Sequence, residues 1–180
     1  MIKMHEIEVK ILDIDPAEIR KKLKKAGARK VFKAKIEARF YDFPDERIKN
    51  AGNHVRLRKI GNKVEITFKK LKSRKKYKHN EETDIEVNDF NSADKFLKTL
   101  GMTKVKGYTK TRERHKLGDF QFEIDKYPKI PYFVEIEAKS DDADKARKLL
   151  EKAVRLLGYK MKDTKPWNGF EVHKHYKKKI

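Results

Sequence analysis

The chain has 180 residues, of which 42% are charged and 37% hydrophobic, and its formal net charge is +20. It has no cysteine, which excludes a disulfide framework and any thiolate metal site. The start, Met1-Ile2-Lys3-Met4-His5, has no signal-peptide core, and no apolar run approaches the ~20 residues that span a bilayer, so a cytoplasmic protein with no membrane partner is expected.

In chain order, Glu6-Ile7-Glu8-Val9-Lys10-Ile11 alternates charge and apolar residue, the period of a half-buried strand. Asp15-Pro16-Ala17-Glu18 starts a helix by capping, with Ile19, Leu23 and Ala26 as its apolar stripe and Gly27 as its stop. Strand text runs from Val31 to Phe43 and turns at Pro44-Asp45. Residues 53–60 and 63–69 read as two strands joined by the hairpin signal Gly61-Asn62. The basic stretch from Lys70 to Lys78 has no periodicity and reads as a loop. Glu82-Thr83-Asp84-Ile85-Glu86-Val87 then restores the strand period. Asn91 or Ser92 is expected to cap a helix that turns Ala93, Phe96, Leu97 and Leu100 inward and ends at Gly101. Further strands are expected over 107–116, 120–126 and 132–139, with turns at Leu117-Gly118-Asp119 and between Pro128 and Pro131. Asp141 or Asp142 caps a last long helix lined by Ala146, Leu149, Leu150, Ala153, Val154 and Leu157, which Gly158 stops. The tail carries Trp167, a short strand over Gly169–Val172, and a solvated basic end from His173 to Lys179.

Each half thus reads strand, helix, glycine stop, then three strands, with an acidic strand leading both times. We expect a single α+β domain over 1–180. Its pseudo-repeat halves cover about 2–70 and 80–140 and form one closed or nearly closed antiparallel sheet with helices outside; residues 141–180 add a helix and the basic tail.

Period 2 also sorts the charges. Arg56 and Arg58 share a face, as do Lys110, Arg112 and Arg114; Glu82, Asp84 and Glu86 share another, as do Glu123 and Asp125, and Glu135 and Glu137. Whole strands are therefore acidic or basic, where a merely solvated face mixes its signs. If the sheet closes with these faces inward, its lumen has acidic and basic walls, and burying them is costly unless they pair or hold ions. The chemistry that uses both is phosphate transfer. Carboxylates hold Mg²⁺ or Mn²⁺, and arginine and lysine clamp phosphate oxygens.

The ordered set Glu6-x-Glu8-x-Lys10, Arg56-x-Arg58, Lys69, the acidic strand, Lys110-x-Arg112, Asp125 and Glu135-x-Glu137 resembles the CYTH superfamily of triphosphate tunnel metalloenzymes, over roughly residues 2–160. That family includes class IV adenylyl cyclases and thiamine triphosphatases, and its fold is an eight-stranded antiparallel β-barrel, the triphosphate tunnel. The resemblance implies metal ligation by Glu6, Glu8, Asp125, Glu135 and Glu137, with Glu82, Asp84 and Glu86 supplying a second metal or water site. It implies substrate binding by Lys10, Arg56, Arg58, Lys69, Lys110 and Arg112, with Lys10, Lys69 and Lys110 as the catalytic lysines. Tyr41 is similar to a tyrosine of the tunnel wall, and is equally a packing residue; Arg114 is a further clamp or a residue of the tunnel mouth.

The implied cofactor is Mg²⁺ or Mn²⁺. The implied partner is a small-molecule triphosphate: ATP, thiamine triphosphate or inorganic triphosphate. The implied activity is class IV adenylyl cyclase-like, ATP to cyclic AMP and pyrophosphate, or else triphosphatase. A non-catalytic polyphosphate or nucleic-acid binder is the other class, supported by the net charge and by the basic residues 69–78. Strand carboxylates repel a nucleic-acid backbone unless a metal intervenes, so nucleic acid is not the expected partner. A monomer or homodimer fits. Abundant lysine and glutamate with a single glutamine, Gln121, is the usage of proteins from hot environments.

Overall fold

Charge alternation becomes strand wherever it was read. The computed structural model describes residues 5–73, 79–140 and 142–177. In chain order it contains β1 (His5–Ile11), α1 (Pro16–Lys25), β2 (Arg29–Asp42), α2 (Arg47–Asn50), β3 (His54–Ile60), β4 (Lys63–Ser73) and β5 (His79–Val87). These are followed by α3 (Phe90–Thr99), β6 (Thr103–Leu117), β7 (Phe120–Lys126), β8 (Phe133–Ser140), α4 (Ala143–Leu156) and α5 (Gly169–Lys177). The repeat is real: β1-α1-β2-β3-β4 is answered by β5-α3-β6-β7-β8. The strands form one eight-stranded sheet in the order β1-β8-β7-β6-β2-β3-β4-β5, so β1 and β5 are its end strands.

Local signals act as the sequence suggests. Asp15 accepts a hydrogen bond from the Ala17 amide and Pro16 opens α1. Gly27 and Gly101 sit at φ +82° and +86°, the left-handed conformation that ends α1 and α3 at little steric cost. Gly61-Asn62 is the whole loop between β3 and β4, where Ile60 pairs with Lys63.

The chain divides into two compact units, Met1–Lys33 with Thr111–Ile180, and Ala34–Lys110. Neither unit is a sequence half, because β2 and β6 are long enough to run through both divisions. In the first unit, antiparallel β1, β8 and β7 turn Val9, Ile11, Ile136, Val134, Phe122 and Ile124 to the apolar face. These are buried together with Ile19 and Leu23 of α1 and Leu150, Val154 and Leu157 around α4. In the second, Tyr41, Val55, Leu57 and Val64 form a core with Phe90, Ala93, Leu97 and Met102. Each fully buried aliphatic side chain contributes about 1.5–3 kcal/mol, so these apolar faces are what hold each unit's strands and helices together.

Five expectations change. The cap of α3 is Asp89, whose carboxylate accepts from the Ser92 amide, so the helix starts earlier than Asn91 or Ser92 implied. The helix buries Phe90, Ala93, Asp94 and Leu97, which leaves Phe96 59% and Leu100 55% exposed rather than inward. β4 continues to Ser73, into the stretch read as a loop; residues 74–78 of that stretch lie outside the described residues. The helix α2 was not foreseen. The expected strand over Gly169–Val172 is the start of α5. Asn168 caps it, accepting from the Phe170 and Glu171 amides, while Glu171 accepts from the Asn168 amide. This Asn-x-x-Glu reciprocity was visible in the sequence. The tail is correspondingly packed, with Val172 and Tyr176 buried and the Tyr176 hydroxyl donating to Asp13 at 2.6 Å.

Candidate active site

Register decides which charges meet. In the first unit Lys10 pairs with Glu135 and Glu8 with Glu137 across β1 and β8. Glu123 pairs with Glu135 and Gln121 with Glu137 across β7 and β8. Arg112 pairs with Asp125, and Arg114 with Glu123, across β6 and β7. All lie on the face away from the helices, because all alternate with the buried apolar residues. Glu6 is opposite Lys139 in the β1–β8 register.

Arg112 is the hub. Its guanidinium donates bidentately to Asp125, Nε–Oδ1 and Nη2–Oδ2 both at 2.7 Å, and reaches Glu135 at 3.3 Å and Glu123 through Nη1. Asp125 is 0% exposed and Glu123 1%. Burial opposes the Arg112 charge, but the three carboxylates outweigh it and hold its pKa well above the usual value. Lys10, 2% exposed, ion-pairs with Glu135 at 3.0 Å and Glu8 at 3.2 Å. Burial pulls its pKa down, yet Glu135 and Glu8 carry it above normal, so the ammonium is locked in its charged form. Carboxylates are crowded here. Burial and the Glu135 charge raise the Glu8 carboxyl although its side chain is 46% exposed, and burial raises Glu123 against the pull of Arg112. Like charges directly opposite one another, Glu8–Glu137 and Glu123–Glu135, are unfavourable without a cation between them.

The second unit arranges its charges differently. Arg58 donates to Glu65 at 2.9 Å, and Lys69 pairs with Glu82. Arg56 donates to Thr67 at 3.1 Å, and the Thr67 hydroxyl donates to Asp84 at 2.6 Å. Glu86 pairs with Lys63 at 2.9 Å. The three carboxylates of β5, expected to supply a second metal or water site, therefore take separate partners on β4 and are exposed on an end strand. Burial and the neighbouring Arg58 charge lower the Arg56 pKa. Lys110 is buried, its ammonium 5.5 Å from the Tyr108 ring centre.

Tyr41 does not stand on this charged face. It is opposite Val55 in the β2–β3 ladder, one residue out of phase with Arg56 and Arg58, and is 1% exposed in the apolar core. Its hydroxyl donates to Asp94, which also receives Arg39 at 3.0 Å and Lys98 at 2.6 Å. Tyr41 thus takes the packing role rather than the wall. Glu123 is the residue that sequence reasoning left out of the site. Its signal was available, since it alternates with Phe122 and Ile124 in phase with Asp125. Arg114 pairs with Glu123 at 2.6 Å, so it joins the same charged row.

The CYTH domain model matches residues 4–166. The chain belongs to the CYTH family. A protein of Methanocaldococcus jannaschii named "putative adenylate cyclase" is 27% identical over 154 residues, 86% of this chain and 88% of its own. The solved structure of PH1012 from Pyrococcus horikoshii has 27% identity and a TM-score of 0.79, covering 93% of this chain and 99% of that one. A solved structure from Hippeastrum, of a "putative adenylyl cyclase" with a dominant triphosphatase activity, has 15% identity and a TM-score of 0.69, over 95% and 96% of the two chains. The eight-stranded antiparallel sheet with five helices is the CYTH fold. The α5 helix lies beyond the matched domain.

CYTH proteins act on triphosphates with divalent metals. The donors of the first unit suit such an ion chemically: Glu8, Asp125, Glu135 and Glu137 offer only hard oxygen, and crowded like-charged pairs gain from a cation. Among the described residues, no three are arranged as a metal cage, because Arg112 and Lys10 hold these oxygens instead. No described helix is long and apolar enough to cross a membrane.

Proposed function

We propose that this protein is a divalent-metal-dependent enzyme of triphosphate substrates, with class IV adenylyl cyclase-like chemistry on ATP. The observation that carries this reading is the Arg112 hub, where a buried guanidinium and a buried ammonium neutralise a row of strand carboxylates. Charge of that density buried on one face is expensive as structure alone, because hydrophobic replacements of similar volume serve stability as well.

Glu8, Asp125, Glu135 and Glu137, together with Glu6 two residues before Glu8, would hold Mg²⁺ or Mn²⁺. When bound, the metal neutralises phosphate charge and orients the phosphate oxygens. Within the first unit Lys10 and Arg112 bind the remaining oxygens, the arginine through paired N–H groups and the lysine as a point charge; Arg56, Arg58, Lys69 and Lys110 are the further phosphate cations that membership of the CYTH family implies. Lys10 serves throughout as a cation, since Glu8 and Glu135 keep it protonated. Catalysis is then positioning of the ribose 3′-hydroxyl in line with the α-phosphate, with pyrophosphate as leaving group.

Hydrolysis of a triphosphate is the second reading, favoured by the dominant triphosphatase activity of the Hippeastrum protein. Incubation with Mg²⁺ or Mn²⁺ and ATP, thiamine triphosphate or inorganic triphosphate, followed by product analysis, separates the two. Cyclic AMP with pyrophosphate supports cyclisation, and orthophosphate supports hydrolysis. Absence of any turnover, together with tight metal-independent RNA binding, removes the enzyme reading.

A further inference from the structure

Three aromatic rings interrupt the charged face of the second unit, and phosphate binding gives them nothing to do. Phe40 lies directly opposite Arg56 in the β2–β3 ladder. His54 is two residues before Arg56 on β3 and opposite Lys69 on β4, and Tyr108 is two residues before Lys110 on β6. Two residues along a strand return to the same face, so each ring sits beside a cation assigned to the phosphates. The rings form a cluster, with Phe40 5.7 Å from His54 and 6.1 Å from Tyr108 between ring centres, tilted at 50° and 46°. Gly107 permits this arrangement, since a Cβ there would stand 2.7 Å from the Ala38 carbonyl oxygen.

We propose that the half-buried His54 and Tyr108, backed by the buried Phe40, form a base-stacking platform, so that the preferred substrate is a nucleoside triphosphate rather than inorganic or thiamine triphosphate. The proposal rests on the triphosphate reading above and names its substrate class. Lysine ammoniums now cover two of the rings, Lys106 at 5.5 Å from the Phe40 centre and Lys110 at 5.5 Å from the Tyr108 centre. Phosphate oxygens compete for those ammoniums, and a neutral heterocycle replaces them on the ring faces. Arg56 adds a polar group beside the rings, since its Nε is buried and has no hydrogen-bond partner among the described residues. The surrounding charge selects the heterocycle. Arg56, Lys106 and Lys110 repel the cationic thiazolium that joins thiamine's pyrimidine to its phosphates, and tolerate a purine or pyrimidine joined through an uncharged ribose. Inorganic triphosphate offers the rings nothing.

The test is calorimetric binding of ATP, inorganic triphosphate and thiamine triphosphate to the full chain with Mg²⁺, in wild type, Tyr108→Leu, Tyr108→Phe and the half-buried His54→Leu. Stacking on one aromatic side chain is worth on the order of tenfold in affinity. The ratio of ATP affinity to inorganic triphosphate affinity should fall about tenfold in Tyr108→Leu, fall in the same direction in His54→Leu, and stay within about twofold of wild type in Tyr108→Phe. Thiamine triphosphate should follow inorganic triphosphate. A ratio unchanged in both leucine variants, or thiamine triphosphate tracking ATP, overturns the platform while leaving the triphosphate reading intact. If the wild type binds none of the three, the triphosphate reading fails and the platform with it.

Discussion

The two units carry the same sequence device and use it in opposite ways. In both, strands alternate acidic or basic residues with apolar ones. In the first, Glu123, Asp125 and Glu135 converge on one guanidinium. In the second, Glu82 and Glu86 each have a cation of their own, Glu65 takes Arg58 with Arg56 at 3.6 Å, and Asp84 takes the Thr67 hydroxyl. The difference follows from position in the sheet. β8 has a strand on either side, so its carboxylates face charges from both neighbours and are shielded from water. β5 ends the sheet, so its carboxylates meet β4 alone and stay solvated. Convergence with burial makes a carboxylate row dependent on its counter-charge; dispersal with exposure makes it nearly inert.

The largest expected effect of that contrast is on stability. Arg112→Ala leaves three buried carboxylates without their shared cation and should cost about 3–5 kcal/mol in urea unfolding. Lys63→Ala, which removes an exposed pair to Glu86, should cost under about 1 kcal/mol. Equal losses would dissolve the distinction between the units. Next comes activity. Glu8→Ala should lower metal-dependent triphosphate turnover on the order of a hundredfold with little change in melting temperature, whereas Glu86→Ala should stay within about twofold. Should Glu86→Ala prove the more damaging, the metal-holding role belongs to β5.

Convergence also occurs in the second unit on the helix side, where Tyr41, Arg39 and Lys98 share Asp94. Burial alone would raise this carboxyl, but hydrogen bonds from Lys98, Tyr41 and Arg39 depress it to about 2, from 3.8. A depressed folded-state value means stability that is fully present above pH 3.8 and is lost as pH falls toward about 2, by about 2 kcal/mol. Asp94→Asn should remove that part of the acid slope and leave the shallower dependence contributed by the other depressed carboxylates, such as Glu113. A small effect is expected where one hydroxyl is removed. Tyr176→Phe loses the hydroxyl contact to Asp13 and should cost about 1 kcal/mol by thermal unfolding. A cost as large as that of Arg112→Ala would show that α5 is integral to the first unit.

Much of this is legible from residues, and the failures have identifiable causes. The helix caps at Asp15 and Asp142 and the Gly61-Asn62 hairpin are local chemistry, and they hold. Phe96 and Leu100 come out exposed because α3 docks through Phe90, Ala93, Asp94 and Leu97, a stripe displaced to one side of the one expected. Tyr41 falls on the apolar face because the ladder from β3 to β2 sets its phase against Val55, a pairing that sequence period within one strand does not reveal. The aromatic platform is hidden in the sequence because Phe40, His54 and Tyr108 come from three different strands.

Strand period alone determined which residues share a face, since successive side chains must point to opposite sides of an extended backbone. It determined that Glu8 and Lys10, Arg56 and Arg58, Asp125, and Glu135 and Glu137 stand on charged faces whatever the fold. It did not determine which of them meet. That Lys10 reaches Glu135, and that Arg112 gathers Glu123, Asp125 and Glu135, depends on β1 lying beside β8 and β8 beside β7 in a definite register. Such pairing closes the long stretch of chain between β1 and β8, and the energy that selects it comes from apolar faces packing under helices, not from the charges themselves.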